Sequence, residues 1–392
     1  MKILYSLPHP GDRLEGQRAG HIVRANSILN GLAKLGHTVI RIEAGSDKKA
    51  QAAVNTYRNM FKRLLPTRMA WMMRDAGRIV HGRRFAARLI EAAEKHKPDC
   101  ILETYLAFNS AGKIASETTG LPLVIDDIAP AWEEEQQYGV GLKEPLKRIY
   151  RQVTGSARLL VAVNKTIRQY LVDEGLPENR IVTVENGIDD GLFHPNVDGS
   201  LRRRQYGIGG GEVVIVFVGS FQPYHRVDLL LQAFAGMKSN QSARLLLVGE
   251  GKYTDEARAV AARLNLSEKT IFTGRIPYDE VSSYMAAGDI AVMPATNEYG
   301  NPMKVYEYMA LGKAVVAPDQ PTITEIVEHN ENAYLFEREN IPALTFALQT
   351  LTGDPVLRGR LGCRASVAAV QHTWLKRAEA LQNAMEEAGL RQ

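Results

Sequence analysis

The stretch Asn297-Glu-Tyr-Gly-Asn-Pro-Met-Lys-Val-Tyr-Glu-Tyr-Met-Ala-Leu-Gly312 decides the fold of this chain. An apolar run, Ile290-Ala-Val-Met293, precedes it and reads as a buried strand; a second, Ala314-Val-Val-Ala317, follows it. Between them lie a Gly-Asn-Pro turn and an apolar-periodic segment from Met303 to Leu311, which Gly312 closes as a C-terminal cap. Strand, tight loop and helix N-terminus make an anion site. The N–H groups of the first helical turn lack intrahelical partners, and the positive end of the dipole points outward. Lys304 adds a cation at that end, and Glu307, one turn on, adds a hydroxyl acceptor. A phosphate with sugar hydroxyls beside it suits these groups.

Outward from this stretch, the second half alternates strands and helices. Strands are expected at Val213–Val218, Ala243–Val248 and Ile271–Thr273, with helices over Val227–Met237, Thr254–Leu264 and Tyr278–Ala286. Parallel sheets bind ligands beyond their strand carboxyl ends. Gly219-Ser220, Gly249-Glu-Gly251 and Gly274-Arg275 each fall there, and such turns in successive units argue for one shared site. His225 and Arg226 precede a helix and read as donor and cation for a diphosphate. Arg275 reaches toward phosphates or a base.

The first half opens with a βαβ unit: strand Lys2–Leu7, a glycine-bearing loop over 11–20, a helix from His21 to Leu35, and strand Thr38–Ile42. Further strands are expected at Cys100–Glu103, Leu121–Ile125, Ala157–Val163 and Ile181–Val184, with a helix over Ala107–Thr118. The polar, Gly- and Arg-rich segment 196–211 reads as the linker, and 355–390 as an amphipathic helical end. A chain of 392 residues exceeds one ordinary core, so two domains are expected, 1–195 and 196–370, with 371–392 packing back on the first.

Composition excludes several classes. The net charge of +4 is mild, and the two cysteines, Cys100 and Cys363, lie far apart outside any ligand spacing. That points to a reducing compartment without a metal or disulfide framework. No run of about 18 apolar residues exists and the N-terminus is no signal peptide, so a cytoplasmic location is expected. No Asp-x-Asp pair occurs; Asp126-Asp127 and Asp189-Asp190 are adjacent, which in a strand puts them on opposite faces. A metal clamp is therefore not expected, and Lys, Arg, His and helix N-termini are left to meet leaving-group charge. Residues 58–97 mix Arg and Lys with Met, Phe, Leu and Trp, and acidic residues are nearly absent before Glu91. An interfacial helix on an anionic bilayer needs this mixture; an amphipathic core helix competes, and nucleic acid lacks any groove-reading motif.

Taken together these residues resemble the retaining glycosyltransferases of glycosyltransferase family 4, of the two-domain GT-B fold. The resemblance rests on Gly16, Gly20 and His21, Leu35-Gly-His-Thr-Val39, Val184-Glu-Asn-Gly-Ile-Asp189, Phe217 to Asp228, and Lys304 to Gly312. It implies an α/β architecture of two Rossmann-like doubly wound domains facing a cleft, without cofactor, acting on a nucleotide-sugar and a glycan or lipid-linked acceptor. It implies that Glu307 holds ribose hydroxyls, and that Lys304 and backbone near Asn301, Met303 and Val305 meet sugar and diphosphate. Gly219, Ser220, His225 and Arg226 would meet the phosphates, with Gly249 and Gly251 alongside. Arg275 and Ile276 would frame the base, and Gly16 would close over the diphosphate. Acceptor-side candidates are His21, Glu103, Tyr105 and Asp126. The family's paired glutamate falls on Tyr299, with Glu298 one step off. A partner subunit that binds nucleotide without catalysis is the rival reading. A nicotinamide oxidoreductase is disfavoured because Gly11, Gly16 and Gly20 are spaced too widely for a dinucleotide fingerprint.

Overall fold

The computed structural model describes residues 1–9, 11–15, 19–46, 66–130, 139–238 and 242–390. Gly16 and the expected basic residues Arg58, Lys62 and Arg63 lie outside them. The chain divides into two compact units, 1–185 with 374–392, and 186–373.

The first unit is a parallel six-stranded sheet ordered β2-β1-β3-β4-β5-β6. Its strands are β1 (Lys2–Leu7), β2 (Thr38–Glu43), β3 (Cys100–Thr104), β4 (Leu123–Asp127), β5 (Leu159–Ala162) and β6 (Ile181–Thr183). The helices between them are α1 (Gly20–Lys34), α2 (Thr67–His96), α3 (Ala111–Thr119), α4 (Lys143–Ser156) and α5 (Lys165–Asp173). Strands β3, β4 and β5 are buried along their whole length, as sheets covered on both faces require. Helix α3 begins later than the Ala107 expected from periodicity. Phe108 turns left-handed at φ 67°, and the Asn109 side chain accepts from the Ala111 amide at 3.1 Å, which sets the start there. Cys100 is wholly buried in β3, and burial pushes its thiol up to about 12.

The second unit repeats the plan with strand order β12-β11-β10-β7-β8-β9. After a short helix α6 (Ser200–Gln205) come β7 (Val213–Val218), α7 (Val227–Ala235), β8 (Ala243–Val248), α8 (Thr254–Arg263), β9 (Thr270–Phe272) and α9 (Val281–Ala286). Then follow β10 (Ile290–Val292), α10 (Met303–Ala310), β11 (Ala314–Asp319), α11 (Pro321–Thr324), β12 (Tyr334–Glu337), α12 (Ile341–Gly353) and α13 (Pro355–Ala369). The β12 edge strand has no counterpart in the sequence reading, because its side chains are mostly part-exposed and carry no long apolar run. The second free cysteine, Cys363, is exposed on α13.

The unit boundary falls before Asn186, not at 195/196, and the expected linker holds helix α6. The physical reason is local: the Asn186 amide N–H donates to Asn301 Oδ1 at 2.9 Å, and its side chain donates to the Asn301 carbonyl at 2.6 Å. That ties the segment into the second unit from its first residue. At the other end α14 (Trp374–Glu387) belongs to the first unit and lies on α1, where Gly31 leaves room for Ala378. A Cβ at Gly31 would stand 2.5 Å from that of Ala378.

Candidate functional site

Strand order in the second unit reverses between β7 and β10, where β7 pairs Ile215 with Ile290 and Val216 with Ala291. The loops leaving the two strands splay apart at such a switch point and open a crevice. Gly219, at the end of β7, adopts φ 156°, and a Cβ there would stand 2.6 Å from Lys304 Nζ. Only glycine lets this lysine lie against the turn. The neighbouring glycines continue the same floor. The Gly219 amide donates to the Val248 carbonyl at 3.0 Å and the Gly249 amide to the Gly274 carbonyl at 3.1 Å. A Cβ at Gly251 would meet the Phe221 backbone at 2.6 Å.

Helix α10 supplies the charged groups. Its cap residue, Pro302, makes no side-chain cap, so the first amides face outward from the helix end. Lys304 donates to His225 Nε2 at 3.0 Å and lies 4.9 Å from the Phe217 ring centre. His225 Nδ1–H donates in turn to the Ser220 carbonyl, which fixes the tautomer and leaves Nε2 as acceptor. Burial, then the lysine charge, pushes the imidazole down to about 2, so His225 is neutral. Burial likewise lowers Lys304 to about 7, against the pull of Glu307, and raises Glu307 to about 7, against the pull of Lys304. No described protein group donates a hydrogen bond to the Glu307 carboxylate, although the residue is only 9% exposed. Lys304, half-buried in the first turn of α10, and Glu307, buried one turn on, are thus each driven toward neutrality. Desolvated groups in this state gain most from a ligand carrying the complementary charge or hydrogen bonds.

Known proteins are similar to this chain in both units. A family model described as Glycosyl transferases group 1 matches residues 200–366, and one described as Glycosyltransferase Family 4 matches 20–192. The chain belongs to the group 1 glycosyl transferases. It is 29% identical over 315 residues to the D-inositol 3-phosphate glycosyltransferase of Acidothermus cellulolyticus, covering 75% of this chain and 69% of that one. It is 23% identical over 293 residues to the N-acetyl-alpha-D-glucosaminyl L-malate synthase of Bacillus anthracis, covering 71% and 72%. Among solved structures, Anabaena HepE in complex with UDP superposes with a TM-score of 0.74 at 19% identity, covering 98% of this chain and 100% of HepE. The two-unit α/β architecture is that of the GT-B glycosyltransferases.

Other expected residues of this glycosyltransferase are placed differently from one another. Arg226 sits at φ 45° at the start of α7, and its guanidinium pairs with Asp228 at 3.0 Å. Its charge is thus already matched two residues away. Arg275 is 83% exposed beside Glu250, and Glu298 pairs with Arg338 at 3.0 Å on the surface. The Asn301 side chain is taken up by Asn186 and by the Tyr306 hydroxyl, to which it donates at 3.1 Å. Met303 and Val305 lie in the first turn of α10, and Ile276 follows the Gly274 turn. Gly16 is outside the described residues. Tyr308 was not foreseen: its hydroxyl accepts from the Val218 amide at 2.9 Å and fastens α10 to the end of β7.

In the first unit the acceptor-side carboxylates Glu103 and Asp126 are internally satisfied. Glu103 accepts from Ser6 at 2.6 Å, Asn109 at 2.8 Å and the Gly112 amide at 3.0 Å, while burial raises it to about 7. Asp126 takes both Nε and Nη2 of Arg24, the latter at 2.8 Å, and Arg24 also donates to the Val184 and Glu185 carbonyls. The Tyr105 ring packs edge-on against Tyr150 at 5.3 Å. His21 binds Asp12 at 2.8 Å. Asp12 is held well below the usual carboxylate range: its hydrogen bonds to His21 and His9 outweigh the larger single effect of burial, which acts upward. Among the described residues no group of three or more His, Cys, Asp or Glu could hold a metal ion.

Proposed function

We propose that this glycosyltransferase moves a sugar, with retained configuration and without a metal, from a nucleotide-diphosphate-sugar to a glycan or lipid-linked acceptor. The product would serve cell-surface polysaccharide or glycolipid synthesis. The observation that carries the reading is the half-buried Lys304 set against the Gly219 turn, with the buried Glu307 one helical turn on along α10. A diphosphate over that turn gives Lys304 the counter-charge that restores its proton. Glu307, open to a donor, accepts from ribose hydroxyls. Hydrogen-bond donors of the α10 N-terminus meet charge that grows on the leaving oxygen.

In the step proposed, the acceptor oxygen bonds to the anomeric carbon while the bond to the β-phosphate oxygen breaks. The electron pair passes to the diphosphate, and the acceptor proton goes to that same phosphate oxygen. No protein base is needed. Arg226 would join by exchanging Asp228 for phosphate.

HepE holds UDP and, in another structure, UDP-glucose, which makes UDP-sugars the first donors to try. The two curated relatives are named for an inositol phosphate and for L-malate, so the acceptor is assigned from this chain's own basic and apolar segment 58–97. A cytoplasmic protein peripheral to the inner face of the plasma membrane is the matching placement. No helix among the described residues is long and apolar enough to cross a membrane. The test is a thermal-shift panel of UDP-, GDP- and dTDP-sugars, followed by product analysis at the anomeric carbon. One nucleotide should stabilise the fold and yield an α-linked product from an α-linked donor. Absence of stabilisation by all three, or an inverted product, would sink the reading.

A further inference from the structure

Helix α2 has one face in the core and one in solvent. Over its first four turns Met69, Met72 and Met73 are 51%, 41% and 46% exposed and Val80 46%. With Ala76, these fall at helical i, i+3, i+4, i+7 and i+11 positions and form one stripe, about 17 Å long at 1.5 Å per residue. Arg68 flanks one end of it and Arg83 with Arg84 the other, all three exposed and none ion-paired among the described residues. Further along the same face the residues become Glu91, Glu94 and Lys95. The opposite face explains why the stripe is presented rather than buried. Phe85, Ala86 and Leu89 are in the core, and the wholly buried Asp75 accepts the Gly141 and Leu142 amides at 2.8 and 3.2 Å with Arg74 on its other oxygen. The helix is locked from behind with its apolar edge outward.

We propose that the first half of α2 is a docking surface for an anionic lipid bilayer, with Met69, Met72, Met73 and Val80 entering the acyl boundary and Arg68, Arg83 and Arg84 on headgroup phosphates. It rests on the membrane-side placement of the acceptor and gives that placement a surface. Charge decides between occupants. A second copy of the chain, meeting the stripe about a two-fold axis, would set these arginines against one another, and among the described residues of α2 from Arg68 to Arg84 no acid is exposed. A nucleic acid would want cations along the centre, where the methionines stand. An anionic interface takes both, apolar centre and cationic ends.

The full chain is floated with vesicles of phosphatidylcholine alone and of equal parts phosphatidylcholine and phosphatidylglycerol. Wild type should float with the anionic vesicles only, less so as salt rises. Met69→Gln with Met72→Gln and Met73→Gln, and separately Arg83→Glu with Arg84→Glu, should each lower the bound fraction about tenfold. All positions are exposed, so folding is retained, and nucleotide-induced thermal stabilisation in solution should match wild type. Equal flotation of wild type and variants would overturn the proposal. So would absence of flotation, or a concentration-dependent dimer that the methionine changes abolish. Stabilisation by nucleotide is read separately, so failure of the donor assignment is distinguishable from failure of the surface.

Discussion

The two units bury carboxylates in different elements, near the ends of central strands in the first and on helix α10 in the second, and treat them in opposite ways. In the first, Glu103 and Asp126 are buried and fully engaged, by three donors and by a guanidinium. In the second, Glu307 is buried with no hydrogen-bond donor among the described residues, where the ammonium of Lys304 favours its charge. A buried polar group with its partners in place specifies a fold; one without them is an unfilled binding capacity. By this criterion the Glu103 and Asp126 cluster is architectural and the Lys304 and Glu307 groups are the candidate site.

The sharpest attack on this contrast is at Arg24. Arg24→Met should leave Asp126 buried and unpaired, and cost about 3–5 kcal/mol in urea unfolding, with nucleotide still protecting the protein. An undiminished stability with lost transfer would move Asp126 into the chemistry and break the comparison. Next, Lys304→Ala or Glu307→Gln should lower kcat/KM by about 10²–10³. The unfolding midpoint should hold or rise, because a desolvated charge has been removed. A matching loss of stability would make these groups architectural too.

The pH dependence of stability tests the same point with a smaller effect. Glu307 lies near 7 in the fold against an ordinary 4.5, so between those values the folded chain keeps a proton that the unfolded chain has released. Stability should therefore fall as pH rises through that window. Glu103 adds to the same limb. Lys304 lies near 7 against 10.5, so above 7 the folded chain has lost a proton that the unfolded chain keeps, and stability should climb again. A dip near neutrality is expected in melting temperature, with the alkaline rise absent from Lys304→Ala and flattened by bound donor. The smallest effect belongs to Glu298→Ala. An exposed pair with Arg338 is worth about 0–1 kcal/mol, so transfer rates should change by less than about threefold. A larger loss would put Glu298 on the donor sugar.

Periodicity was enough for the strands other than β12 and for α10, since parallel strands buried on both faces read as apolar runs and a glycine closes the helix. It placed Lys304 and Glu307 at one helix start because they are three residues apart. It missed what depends on distant partners. Arg24 and Asp126 are 102 residues apart, and nothing local marks the pair. Whether Glu103 is satisfied rests on Ser6 and Asn109, so its sequence context looks the same either way. His225 could be read as a phosphate donor, but its role toward Lys304, 79 residues on, appears only in the fold. Arg226 is the instructive case: its partner Asp228 is local, but residues two apart do not face each other along a helix, and the sequence reading gave the arginine to phosphate.

The two cysteines described earlier give the molecule a built-in chemical clock. Cys363, exposed on the second unit, is open to a maleimide at once, whereas Cys100 is sealed in the central sheet of the first and its thiolate is disfavoured. A first equivalent of label therefore marks the native protein. Uptake of a second records each opening of the first unit, without touching either helix α10 or the stripe on α2.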